Sequence, residues 1–109
     1  MAAVRFLEIP LVIADGATTS AAIELRGAIP VAVLLPAEFD GLTLTPNVSL
    51  DGVTYYGLFD DAGAAVVITA AASRWIALLP QEYAGIDWLR FVAGVQAGAT
   101  TITLLVRTD

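Results

Sequence analysis

Two carboxylates occupy matched places in this chain. Residues 34–42 read LLPAEFDGL and residues 78–86 read LLPQEYAGI, an offset of 44 residues. Glu38 and Glu82 each follow a Leu-Leu-Pro and precede an aromatic ring. A carboxylate pair brought to about 5–10 Å can do acid–base work. The same positions suit a structural task, because a Glu in the first helical turn can cap backbone N–H groups. Capping is the expectation adopted here, since related corners should lie far apart on the body. A second acidic group, Asp51 with Asp60 and Asp61, brackets one hairpin. Calcium takes about six to eight oxygens from closely spaced loop carboxylates. The D-x-D-x-D-G pattern is missing, and Asp-Gly and Asp-x-Gly are ordinary turn chemistry. No metal site is expected.

Aromatic residues form the third candidate group: Tyr55, Tyr56, Trp75, Tyr83 and Trp88. Aromatic faces stack on the apolar faces of sugars. Tyr55 and Tyr56 are adjacent, so on a strand they point to opposite sides. Trp75 and Trp88 lie within apolar runs and read as core or interface anchors. Beyond these the chemistry thins out. The chain has no His, Cys or Lys. A Ser-His-Asp relay and a Ser-Lys dyad therefore lack a member. No G-x-S-x-G, glycine-rich phosphate loop or His/Cys metal spacing occurs. We expect a protein that is not an enzyme and carries no cofactor.

The elements that would hold these residues are short and β-like. Val4–Ile13 fits a strand broken at Pro10, hence an edge strand or bulge, since proline cannot donate in a ladder. Asp15-Gly16 marks a turn, and Ala21–Leu25 alternates as a second β segment. Ala28–Leu35 is apolar on both phases and reads as a buried strand, with Pro30 near its start or an edge. Pro36 then suits the first turn of a short helix. Phe39 can fold back over the core, and Gly41 can supply a positive φ before the chain extends again. Pro80, Glu82, Tyr83 and Gly85 repeat the arrangement.

Leu42–Leu50 alternates, with Thr43, Thr45, Asn47 and Ser49 on one face and Pro46 hinting at an edge. Asp51-Gly52 predicts a type I′ hairpin turn, with Val53–Phe59 as the partner strand and Ala64–Thr69 as the next. Ser73–Leu79 leads into the second corner. Ile86–Val92 carries large apolar groups on both faces and should be central. Thr100–Arg107 closes the domain. Eight or nine short strands at roughly 8–12-residue spacing predict an all-β fold. We expect one antiparallel two-sheet β-sandwich over residues 1–109, jelly-roll-like or Ig-like. The two short helical corners should carry the chain from sheet to sheet, and residues 1–13 should form an edge strand or an anchoring arm.

Composition bounds the function. The length of 109 residues suits one domain. Such a chain buries roughly 65% of its unfolded surface, enough for an independent core. Apolar residues make up 58% and mean hydropathy is +0.79, high for a small soluble monomer. No run approaches the ~18–20 apolar residues of a spanning helix, and Arg5, Glu8, Pro10 and Asp15 interrupt any signal-peptide pattern. We therefore place the excess apolarity in a doubly packed core plus a subunit interface, and expect a homo-oligomer. The net charge is −6 and the five Arg are scattered, which argues against nucleic acid.

TTSAAIELRG (18–27), LLPAEFDGLTL (34–44), SLDGVTYYGLFDDAG (49–63) and ALLPQEYAGIDWLRFVAG (77–94) together resemble short proteins of tailed bacteriophages and prophages, encoded among virion structural genes. The resemblance covers about residues 18–107. It implies a small β-rich virion component, most readily a capsid decoration, or cement, protein. Such proteins trimerise at local symmetry axes of the shell. The implied partners are further copies of the chain and the major capsid protein, on the capsid surface, after synthesis in the host cytoplasm. A tail or baseplate module, or a carbohydrate-binding β-sandwich with Tyr55, Tyr56 or Trp75 as stacking residues, remains an alternative expectation.

Overall fold

Leucine, isoleucine and phenylalanine recur at every second position along five segments, and this alternation builds the core. The computed structural model describes residues 5–108. Nine strands run in chain order: β1 Arg5–Ile13, β2 Ile23–Glu24, β3 Ile29–Leu35, β4 Thr43–Ser49, β5 Tyr56–Gly57, β6 Ile68–Thr69, β7 Arg74–Ala77, β8 Trp88–Val92 and β9 Thr100–Thr108. One single-turn helix, α1 Pro80–Tyr83, lies between β7 and β8. The strands form two antiparallel sheets, one of four in the order β1-β9-β3-β7 and one of five. The second sheet runs β2-β8-β4-β5, with β6 also paired to β4.

The pairs β1·β9, β2·β8, β3·β7 and β4·β5 describe one long antiparallel hairpin folded over on itself. Each leg steps from one sheet to the other at every connection, and β9·β3 and β8·β4 then close the two sheets. This is the jelly-roll order. An Ig-like sandwich keeps its first two strands in one sheet, which this chain does not do.

Between the sheets lie Leu11 and Ile13 of β1, Val33 and Leu35 of β3, and Leu44 of β4. Leu89 and Phe91 of β8 and Ile102, Leu104 and Val106 of β9 complete the layer, all essentially without solvent contact. Each set obeys the strand period of two. The three strand prolines stand where a missing donor is tolerated. Pro10 is on edge strand β1. Pro30 lies at the bulged start of β3, before its pairing with β7 begins. Pro46 falls in the gap between the stretches of β4 that pair with β5 and β6.

Several expectations need correction. The first corner is a turn, with the Phe39 N–H donating to the Pro36 carbonyl at 3.2 Å; only the second is helical. Asp51-Gly52 is not a type I′ turn, because Gly52 has a positive φ (78°) and Asp51 does not. A six-residue loop, 50–55, replaces it. Beyond that loop the expected strands 53–59 and 64–69 shrink to Tyr56–Gly57 and Ile68–Thr69. β3 is covered on one face alone: Ala32 and Leu34 remain half-buried on the outside. Residues 1–4 of the N-terminal segment lie outside the described residues, while Arg5–Ile13 is an edge strand paired with β9 along its length.

Candidate functional site

The duplicated corner is architectural. Both copies carry the chain from the four-stranded sheet to the five-stranded one, at β3–β4 and at β7–β8. β3 and β7 are antiparallel neighbours, with Leu35 opposite Arg74 and Ala32 opposite Ala77. Their C-terminal ends therefore point to opposite ends of the sandwich, which separates Glu38 from Glu82. The capping role fails as well. Among the described residues neither glutamate accepts a hydrogen bond from its corner, and the helix N-cap, Leu79, has none from a side chain. The backbone does that work: Glu82 N–H donates to the Leu79 carbonyl (3.0 Å) and Ala84 N–H to the Pro80 carbonyl (3.0 Å). The rings are the anchors. Phe39 and Tyr83 are 5% and 1% exposed. Burial, reinforced by the neighbouring Glu82 charge, pushes the Tyr83 phenol well above its ordinary range, so it stays neutral. Gly41 and Gly85 both take positive φ where the chain leaves the corner.

A residue that sequence reasoning passed over latches the first corner. Gln96, in the β8–β9 loop, is completely buried. Its Nε2 donates to the carbonyls of Asp40 (2.7 Å) and Gly94 (2.8 Å). Its Oε1 accepts from the Asp40 N–H (2.9 Å), and Asp40 Oδ2 accepts from the Ala97 N–H (3.0 Å). An uncharged amide in a Gly/Ala-rich loop carries no sequence signal of burial.

The acidic group around the expected hairpin serves its own turns. Asp51 Oδ1 accepts from the N–H groups of Val53 and Thr54 and from the Ser49 hydroxyl, each at 2.9 Å. These donors, Thr54 and Val53 first and Ser49 next, hold its carboxyl below the usual range. Asp60 Oδ1 accepts from Ala62 and Ala64 N–H. Among the described residues no group of three or more His, Cys, Asp or Glu is placed to hold a metal ion. No described helix is long and apolar enough to cross a membrane.

The aromatic residues divide among three environments. Tyr55 and Tyr56 do point to opposite sides. Tyr55 lies on the outer face of the five-stranded sheet, with the Arg90 guanidinium carbon 4.0 Å from its ring centre. Trp88 lies beside it on the same face, half-buried beneath Gly52; a Cβ on Gly52 would sit 2.8 Å from the indole. The 50–55 loop thus covers Trp88, Ser49 and Arg90. Tyr56 is 70% exposed and lines a cleft on the other side of β5. Trp75 stands on the outer face of the four-stranded sheet, about half exposed.

That outer face carries several exposed apolar side chains, Phe6, Val12 and Trp75 among them. The register places Pro10, Thr103, Leu34 and Trp75 in one cross-strand row and Glu8, Leu105, Ala32 and Ala77 in the next. Phe6, Arg107 and Ile29 form a third. Phe6 is 59% exposed, while Ile29, Ala32, Leu34 and Leu105 are half-buried by their neighbours alone. Of these residues the sequence singled out Trp75. The signal for Ile29, Ala32 and Leu34 is the second apolar phase of β3, which local pattern alone gives as two-sided burial.

The chain matches no family model, and comparison with curated proteins and with solved structures finds no match.

Proposed function

We propose that this protein is a virion structural component of a bacteriophage that decorates the capsid. In this reading it docks on the shell and on its own copies through the outer face of the β1-β9-β3-β7 sheet. One observation carries the reading: an outer sheet face on which Phe6, Ile29, Ala32, Leu34, Leu105 and Trp75 stand among Glu8, Thr103 and Arg107, with no described segment laid across it. Strand lengths of 9, 9, 7 and 4 residues give this face roughly 460 Å² of flat area at about 4.8 Å between strands and 3.3 Å per residue. Side-chain relief raises the accessible area above that, towards the ~600 Å² per partner of the smallest specific interfaces. Leaving the apolar part of this face in water is unfavourable by about 25 cal/mol per Å². A partner removes that cost. The resemblance of the four segments quoted above supplies the kind of partner, and the acidic net charge of −6 keeps the unassembled protein soluble.

The test is sedimentation with expanded shells of the major capsid protein of the phage or prophage that carries this gene, together with sizing of the free protein. Decoration predicts saturable binding at fixed stoichiometry and an oligomer in solution or on the shell. A strict monomer that stays in the supernatant would remove the proposal. Binding to purified tails and not to shells would move it to the tail or baseplate.

A further inference from the structure

The cleft beside β5 has a different character from the flat face. It opens between the β4–β5 edge and the end of the second corner, encloses about 410 Å³, and is lined by Leu50, Asp51, Thr54, Tyr56, Ile86 and Asp87 among others. That volume lies within the ~300–1,000 Å³ of small-molecule sites, which combine apolar walls with a few convergent polar groups. Here the walls are Val48, Leu50, Tyr56 and Ile86, and the polar groups are two carboxylates and the hydroxyls of Ser49 and Thr54. Tyr56 is unusual in being large, aromatic and 70% exposed while forming the wall of a concavity.

We infer that this cleft is a binding site for a neutral saccharide, with one sugar ring stacked on Tyr56 and its hydroxyls donating to Asp51 and Asp87. The lining contains no Arg, so the carboxylates repel phosphates, sulfates and acidic sugars. An organic cation is the other class that carboxylates and a tyrosine ring could take. Two features favour the neutral ligand. Cation cages surround their guest with several aromatic faces, and Tyr56 is the one ring in this lining. Asp51 Oδ1 already accepts from two backbone N–H groups and a hydroxyl. Those donors offset much of its charge and fix its orientation, leaving Oδ2 as a directional acceptor for a hydroxyl. Both acids are acceptors only, so the ligand must bring the donors, as a polyol does. The other aromatic candidates are excluded by placement: Tyr55 is engaged by Arg90, and Trp75 lies on a flat sheet face. The inference is independent of the docking proposal, which concerns the other sheet.

The experiment is an amide-resonance titration of the full chain with glucose, galactose, mannose and N-acetylglucosamine, each taken into the millimolar range. At least one should shift the resonances of Thr54, Tyr56 and Asp87 saturably. Tyr56→Ala should weaken that binding by at least about tenfold, as loss of a stacking ring does. Asp87→Asn should weaken it several-fold, and Trp75→Ala should leave it unchanged. Tyr56 is mostly exposed, so its variant should keep the parent melting temperature and spectrum. Absence of any saturable shift at these residues overturns the inference. So does binding of tetramethylammonium or methylguanidinium at the cleft while all four sugars stay inert.

Discussion

The two sheets turn very different outer faces to solvent. On the five-stranded sheet, β4 presents Thr45, Asn47 and Ser49, and β8 presents Trp88 and Arg90. The chain covers the largest of these itself by laying the 50–55 loop across Trp88 and Arg90. On the four-stranded sheet, β3 and β9 present Ala32, Leu34 and Leu105, flanked by Phe6 and Trp75, and no segment among the described residues crosses them. A jelly roll needs one buried face per sheet, so both outer faces are free to vary. One is largely polar and carries a lid; the other sets more apolar groups among Glu8, Thr103 and Arg107, and no described segment covers it. The proposed docking would need that asymmetry: one surface that assembles and one that does not.

The comparison breaks first if the open face can be made polar without consequence. Trp75→Glu places a charge in the Pro10–Thr103–Leu34–Trp75 row. A tryptophan that anchors an interface is worth about 2–4 kcal/mol, so shell binding and self-association should fall by at least about thirtyfold. Trp75 is half exposed on a four-residue edge strand, so folding stability should change by less than about 1 kcal/mol. A variant that sediments with shells as the parent does would show that this face is not the docking surface.

The covered face responds in the opposite way. Gly52 has φ +78° and no room for a Cβ against Trp88. Gly52→Val should destabilise the fold by about 2–3 kcal/mol, through strained backbone and a displaced loop. Its signature is a change in tryptophan emission from Trp88 with shell affinity preserved. Unaltered stability would mean that the loop floats above the sheet and covers nothing.

The sequence showed much of the fold and little of this asymmetry. The alternation of Leu11/Ile13, Leu89/Phe91 and Ile102/Leu104/Val106 sets inner faces by local rule, and turn residues set the strand count. The choice between jelly-roll and Ig-like order was not legible, because it depends on pairing between the chain's ends, β1 with β9 and β2 with β8. The second apolar phase of β3 signals two-sided burial, yet Ala32 and Leu34 are half-buried; periodicity reports that a face is apolar, not what covers it. Asp51-Gly52 signals a tight hairpin because Asp-Gly dominates local turn chemistry, whereas the chain forms the 50–55 loop. The decisive contact, Gly52 against Trp88, spans 36 residues. Tyr55 and Tyr56 were separable in advance, since two adjacent residues of a strand must diverge. That the outward one meets Arg90 and the other opens a cleft needed the register of β8.

A smaller effect isolates the lid from the sheet beneath it. Arg90 lies against the Tyr55 ring, and its Nε has no hydrogen-bond partner within the described structure. Tyr55→Ala removes a contact worth about 0.5–2 kcal/mol and also opens Nε to water, which offsets part of the loss. The net cost should be about 1 kcal/mol in urea unfolding, and Tyr55→Phe should restore it. If the phenylalanine variant is as weak as the alanine variant, the phenol hydroxyl and not the stacked ring holds the loop.

The smallest effect is a pH dependence confined to the covered face. Asp51 organises the lid through bonds from Val53, Thr54 and Ser49, and those bonds hold its folded carboxyl below the ordinary 3.8. For a depressed carboxylate, the unfolded chain takes up the proton first as acid is added. The stabilisation is therefore complete above about pH 4 and is lost as pH falls through the lower, folded value. Asp51 is fully exposed, so solvent screens the effect and the shift in melting temperature should be slight. Other carboxylates titrate in the same window, which makes the difference between parent and Asp51→Asn the quantity to measure. That difference should be constant from neutrality down to about pH 4 and close towards zero in stronger acid. Shell binding at neutral pH should be the same for both proteins, since no Asp51 contact reaches the open face. A stability difference that persists unchanged into strong acid would show that the charge of Asp51 contributes nothing and that its hydrogen-bonding shape alone holds the loop over Trp88.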